Sequence, residues 1–145
     1  MSMHNKWFAI ANPKSRAGKS EGLLNTVEAL LIKNQIDFEL HKTSVAGDEI
    51  MLVEKATYLG YRKILCIGGD GTIQKIVAGI QIQKNIPKEN ILFGLVPLGT
   101  GNDWAKSKGI SLKMSECIPF LNSGKIKTQD VGLANIKANE KVIAK

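Results

Sequence analysis

The chain has 145 residues, 43% of them hydrophobic, and a formal net charge of +7 at pH 7. That suffices for one domain whose core needs neither a disulfide nor a metal staple. No run is long and apolar enough to span a membrane, and lysines scattered along the whole chain make a solvated basic surface rather than a nucleic-acid face.

The opening residues, Met1 to Lys6, lack the apolar centre of a signal peptide. Trp7 to Ala11 reads as an apolar strand ending at Asn12-Pro13. Glu21 to Lys33 is helical, with Leu23, Leu24, Val27, Leu30 and Leu31 on one stripe. Ile36 to His41 is a second strand, and Asp48 to Leu59 a second helix with Gly60 as its stop. Lys63 to Ile67 is a third strand, Ile73 to Ile82 a third helix and Ile91 to Val96 a fourth strand. Asp103 to Lys108 and Ser115 to Asn122 are short helices, the latter stopped by Gly124, and Lys127 to Val131 is a fifth strand. Alternation of this kind predicts an α/β fold of three layers, a mostly parallel sheet with helices on both faces.

Two cysteines, Cys66 in a predicted core strand and Cys117 far from it, suit reduced thiols and a cytoplasmic location. His4 and His41 are isolated, and no Cys/His group has metal-ligand spacing. Trp7 and Trp104 are the two rings large enough to stack on bases, and Trp7 falls in a strand, which argues against single-strand binding.

Ligands of parallel sheets bind beyond the C-terminal ends of the strands. Polar loops stand there in this chain: Asn12 to Lys19, Gly68 to Thr72 and Pro97 to Asp103, with Thr43-Ser44 as a softer fourth. The second loop carries the most information. The apolar run Ile64 to Ile67 stops at Gly68-Gly69, and Asp70 stands between glycines before Thr72. Bare backbone lets a ligand come close, and the N–H groups opening the next helix suit a phosphate. A plain turn with Asp70 or Thr72 capping the following helix is the other reading. In the first loop, Gly18-Lys19-Ser20 mimics the end of a Walker A loop, but Pro13 stands where that loop needs glycine. Lys14, Arg16 and Lys19 can still neutralise phosphate charge there, or they make a basic exposed turn. In the third loop, Asn102 or Asp103 can cap the helix that follows, whereas Thr100 and Asn102 among glycines favour ligand contact.

Taken together, Asn12-Pro13-Lys14-Ser15 with Gly18-Lys19, Gly68-Gly69-Asp70-Gly71-Thr72, Pro97-Leu98-Gly99-Thr100-Gly101-Asn102-Asp103-Trp104-Ala105 and Asp130-Val131-Gly132 resemble the catalytic domain of diacylglycerol kinases, which includes bacterial lipid kinases and sphingosine kinases. The likeness covers residues 6 to 135. The Gly-Gly-Asp-Gly-Thr element is shared with NAD kinases, and the third loop favours lipid kinases over them. The resemblance implies the NAD kinase/diacylglycerol kinase type of N-terminal domain, with ATP and Mg2+ as cofactors and transfer of the γ-phosphoryl group to a lipid hydroxyl such as diacylglycerol. It places nucleotide contacts at Asn12, Pro13, Lys14, Ser15, Arg16, Thr43, Gly69, Asp70, Gly71, Thr72, Ile73, Gln74, Lys75, Thr100, Gly101 and Asn102. Asp70 would act near a phosphate-bound magnesium or order its loop. Gly71 and Thr72 would hold phosphate oxygens.

The chain departs from the family pattern at Arg16, where glycine is usual, and at Gln74-Lys75, where Asn-Glu is usual. The family also carries a second, β-rich domain that supplies the general base, further metal ligands and most of the lipid site. Residues 1–131 are thus expected to form the ATP-binding domain, and 132–145 the opening of that second domain. No catalytic base or metal ligand is expected within the chain. It should bind ATP weakly, transfer phosphate poorly by itself and meet its lipid at a membrane surface. Apolar surface left by an absent domain would favour a homodimer. The remaining alternatives are an NAD kinase-like enzyme and a non-catalytic nucleotide-binding module.

Overall fold

A computed structural model describes residues 5–14, 20–98, 101–123, 131–136 and 139–144. Strands β1 (Trp7–Ala11), β2 (Phe38–Lys42), β3 (Lys63–Gly68) and β4 (Leu92–Pro97) form one parallel sheet in the order β2-β1-β3-β4. Helices α1 (Ser20–Lys33), α2 (Asp48–Tyr58), α3 (Asp70–Ile82), α4 (Asp103–Ser107) and α5 (Met114–Phe120) connect and flank them. The α/β class and its layering follow the alternation read from the sequence.

Period-two alternation along β1 divides the core. Trp7, Ala9 and Ala11 pack with Leu65, Ile67 and Val96 under α1 and α5, through Leu24, Val27, Leu31, Cys117 and Ile118. Phe8 and Ile10 pack with Ile64, Cys66 and Leu95 on the other face, under Val53 and Ala56 of α2 and Ile73, Ile76 and Ile80 of α3. The central strands are covered on both faces, which is why they read as continuous apolar runs. Gly94 has a tight neighbour: a Cβ there would meet the Trp7 ring at 2.9 Å. Burial pushes both thiols up, Cys117 to about 11 and Cys66 further, so neither is a ready nucleophile.

Several boundaries shift from the sequence reading for local reasons. The second strand starts at Phe38 rather than Ile36, because Gln35 turns at φ 57° and the Ile36 N–H bonds back to the Leu31 carbonyl. The third helix starts at Asp70, not Ile73, so the glycine turn is itself the first helical turn. Gly71 stands in that terminal turn rather than in the middle of the helix, where glycine's entropic cost is charged. Gly60 does stop α2, at φ 93°. The Gly124 stop lies outside the described residues, as does the expected fifth strand except Val131. Val131 opens β5 (Val131–Ile136), which pairs antiparallel with β6 (Asn139–Ala144) in a separate two-stranded sheet.

Candidate functional site

Strand order places the site. The chain leaves β1 for β2 on one side, then returns across β1 to β3 on the other. The winding direction therefore reverses between β1 and β3, and a crevice opens there beyond the strand ends. Register puts all these ends on one rim: Ala11 is level with Lys42 and Ile67, and Gly68 with Pro97.

The rim loops are tied together in two pairs, one on each side of that crevice. On the β1/β2 side, the Asn12 side chain accepts the Lys14 N–H (3.0 Å), closing a tight turn at Pro13. The Lys14 ammonium then donates to the Ser44 carbonyl (3.1 Å). Thr43 is buried and its N–H continues the ladder to the Ala11 carbonyl at 2.9 Å. Asp48 fastens this loop to α2, accepting the Ser44 N–H (2.7 Å), the Val45 N–H (3.0 Å) and the Ser44 hydroxyl (3.0 Å). Those donors, the Ser44 N–H foremost, hold the Asp48 carboxyl below its ordinary range.

On the β3/β4 side the tie is Asp70. Its Oδ2 accepts the Asp103 N–H (2.9 Å) and its Oδ1 the Trp104 N–H (3.0 Å). Asp70 is thus the cap of α4, reached across more than thirty residues of sequence, and it orders the third loop. No side chain caps α3, on which Asp70 sits, so neither Asp70 nor Thr72 is the plain cap of its own helix. Asn102 occupies the position before α4 in a left-handed conformation (φ 53°, ψ 38°) and is buried, but it makes no side-chain cap bond to α4.

The glycines divide by role. A Cβ on Gly68 would lie 3.1 Å from the Thr72 side chain, so this glycine is bare for packing rather than for ligand approach. A Cβ on Gly71 would meet nothing within 4 Å, and Gly71 is exposed at the α3 N-terminus. Its bareness serves no contact inside the protein. Gly69 precedes the helix, its carbonyl accepting the Ile73 N–H at 3.0 Å. The N–H groups of the first turn, from Asp70 to Thr72, are left to the rim. Gln74 and Lys75 are exposed one turn further on, and Gly101 is exposed beside Asp70. Ile73 stands apart: its side chain is buried in the apolar cluster under α2 and its N–H is used within the helix. Ser15, Arg16 and Thr100 lie outside the described residues.

Sequence reading missed Asp48 as the anchor of the Thr43-Ser44 loop, although an acid opening a helix after Ser44 is a visible signal. It had no means of finding the Asp70–α4 bonds. Among the described residues, no three His, Cys, Asp or Glu side chains gather where a metal ion could bind. Both oxygens of Asp70 already accept N–H bonds. The described residues thus offer no cluster for a protein-built Mg2+ cage, and each Asp70 oxygen keeps a lone pair beyond its N–H bond. Also among the described residues, no helix is long and apolar enough to cross a membrane.

Comparison with known proteins agrees with this architecture. The family model of the diacylglycerol kinase catalytic domain matches residues 6–134. A protein of Enterobacter sp. (strain 638) named "Probable lipid kinase YegS-like" is 33% identical over 122 residues, covering 83% of this chain and 40% of that protein. A diacylglycerol kinase of Staphylococcus aureus (strain MRSA252) is 29% identical over 135 residues, 92% of this chain and 41% of its own length. The crystal structure of a diacylglycerol kinase from Bacillus anthracis str. Sterne shares the fold with a TM-score of 0.73 at 23% identity, over 90% of this chain and 44% of that one. The chain thus spans about two fifths of the relatives it matches. On its fold, its rim loops and the extent of that match, the chain belongs to the diacylglycerol kinase catalytic domain family.

Proposed function

We propose that this chain is the nucleotide-binding part of an ATP-dependent lipid kinase, which transfers the γ-phosphoryl group to a lipid hydroxyl such as that of diacylglycerol at a membrane surface facing the cytoplasm. The observation that carries the reading is the uncapped first turn of α3, bare at Gly71, at the crevice between two tied pairs of loops. A helix N-terminus with exposed N–H groups and an unobstructed glycine suits a polyphosphate. Lys14 adds positive charge on the opposite wall, and Lys75 on α3.

Phosphoryl transfer asks the protein mainly to position the reactants and neutralise charge. Here the first-turn N–H groups of α3 hold phosphate oxygens, while Asp70 keeps the third loop at fixed distance from them. Asn12, Pro13, Lys14, Thr43, Gly101 and Asn102, with Ser15, Arg16 and Thr100, complete the nucleotide contacts in this proposal. Residues 1–131 form the ATP-binding unit. A separate antiparallel hairpin, which opens at Val131, supports the start of a second unit from residue 132 onward. The base that deprotonates the lipid hydroxyl, and most of the lipid site, are assigned to the remainder of a longer enzyme.

Thermal unfolding with and without Mg-ATP tests the reading. Nucleotide at about one hundred times its dissociation constant adds ~2.7 kcal/mol. Gly71→Ala should leave the unliganded melting point unchanged or slightly higher, because its Cβ enters open space, yet lose at least half of the nucleotide gain. Equal gains in both proteins would remove this turn from the site.

A further inference from the structure

Among the described residues Glu49 is the one buried carboxylate: it is 2% exposed, and its Oε1 has no hydrogen-bond partner. Burying a charged group without a partner destabilises a fold, so its presence needs a physical reason. Balancing the dipole of α2 is not sufficient, because the neighbouring Asp48 already does so from an exposed position. Asp48 is bonded outward to the Thr43-Ser44 rim loop at 2.7–3.0 Å. Glu49 instead turns inward, on the stripe it shares with Val53 and Ala56. Its negative charge bears on the Cys66 thiol. Cys66 is level with Ile10 of β1 and stands just before the end of β3 at Gly68. The carboxylate therefore lies beneath the crevice between β1 and β3, on the face covered by α2 and α3.

We propose that Glu49 reads the nucleoside: its carboxylate accepts a hydrogen bond from a neutral donor of the bound nucleotide, either a ribose hydroxyl or the adenine amino group. The inference rests on the nucleotide-binding reading above and adds the direction in which the nucleotide lies. A carboxylate repels phosphate oxygens, so Glu49 does not face the triphosphate. The phosphates lie at the first turn of α3, whose helix also carries Lys75, and the nucleoside end extends toward α2. The ligand then supplies the donor that folding does not, and the cost of the buried carboxylate in the unliganded protein is relieved on binding. Such an acceptor is selective, because an analogue lacking the donor leaves the carboxylate unpaired again. Stability given up in the free protein becomes affinity for the correct ligand, a compromise common at functional sites.

Calorimetric titration of the 145-residue chain with ATP and with inorganic tripolyphosphate tests the proposal, with urea midpoints as folding controls. Glu49→Met should weaken ATP binding by about tenfold or more, the loss expected for a bond to a charged acceptor. Tripolyphosphate offers no such donor, so its affinity should stay unchanged or rise as a nearby negative charge is removed. Glu49→Gln keeps one acceptor oxygen and should lose less than Glu49→Met; it stands in should the methionine variant fail to fold. Two analogues locate the donor, 2′,3′-dideoxy-ATP without the ribose hydroxyls and inosine triphosphate without the amino group. The wild type should bind one of them about tenfold more weakly than ATP, and Glu49→Met should bind that analogue and ATP alike. ATP affinity indifferent to both substitutions would overturn the role of Glu49 and leave the nucleotide reading standing. Equal losses for ATP and tripolyphosphate would also overturn it, by showing that the substitution distorts the whole crevice. A wild type that binds neither ligand would remove the nucleotide reading, and this inference with it.

Discussion

Asp70→Asn isolates the tie between the second and third loops. The carboxylate accepts two backbone N–H bonds, at 2.9 and 3.0 Å, one on each oxygen. Asparagine has a single acceptor oxygen, so one of the two N–H groups would then face an NH2 donor. It also removes a negative charge from the N-terminus of α4, where the helix dipole favours one. Bonds to charged acceptors contribute about 1.5–3 kcal/mol, and loss of a cap typically costs ~1 kcal/mol. Because the loop is partly exposed, we expect a loss near the middle of these ranges, ~1.5 kcal/mol. At this chain length that lowers the melting point by roughly 3–6 °C. The more local readout is amide hydrogen exchange. Exchange at Asp103 and Trp104 should accelerate about tenfold, since 1.4 kcal/mol corresponds to a factor of ten, while the strand amides of β1 and β3 keep their protection. Asp103→Asn is the control, because Asp103 enters this tie through its N–H and not its carboxylate; its effect should stay within about 0.5 kcal/mol. Unchanged exchange at Asp103 and Trp104 in Asp70→Asn would refute the assignment of Asp70 as the cap of α4.

Two further outcomes follow from buried polar groups. The Tyr61 hydroxyl donates to Glu39 Oε2 (2.9 Å), and burial, then this bond, push its pKa up to about 12 from 10.0. The folded state therefore holds a proton that the unfolded chain releases. The resulting stability is complete below pH 10 and is lost as pH rises toward 12. The stability difference between wild type and Tyr61→Phe, measured by urea unfolding from pH 8 to 11, should shrink toward high pH by up to ~1.4 kcal/mol; parallel curves would contradict it. Glu49 on α2 is 2% exposed and its Oε1 has no hydrogen-bond partner. Glu49→Met, of similar length, should stabilise the protein by about 1–3 kcal/mol, and a lower urea midpoint would show that the carboxylate makes a net favourable contribution.

The cluster around Tyr61 illustrates how the edge of the sheet is finished. Glu39 bridges Tyr61 and His41 (2.7 Å), both of which hold its carboxyl below the ordinary range, the tyrosine first. Phe8 stacks on His41 at 4.1 Å and meets Tyr61 edge-on at 5.1 Å. His41, which looked isolated in the sequence, is therefore a structural residue with defined neighbours.

The chain's sequence alone determined the elements and their alternation, because a strand buried on both faces must be apolar throughout and a flanking helix must carry an apolar stripe. It determined, too, that Gly68 to Thr72 is an unusual turn and that the polar loops fall at strand ends. Tertiary structure decided what joins those loops. Strand order β2-β1-β3-β4 sets where the winding reverses, and no local pattern encodes the order of parallel strands. The same is true of individual side chains. Locally, Asp70 is equivalent as a cap for its own helix and as a ligand contact; only folding brings the N–H groups of Asp103 and Trp104 to it. Gly68 and Gly71 look alike in sequence, yet one is bare because Thr72 packs on it and the other faces open space. Propensity acts within a few residues, whereas these roles depend on atoms that are distant in the chain and adjacent in space.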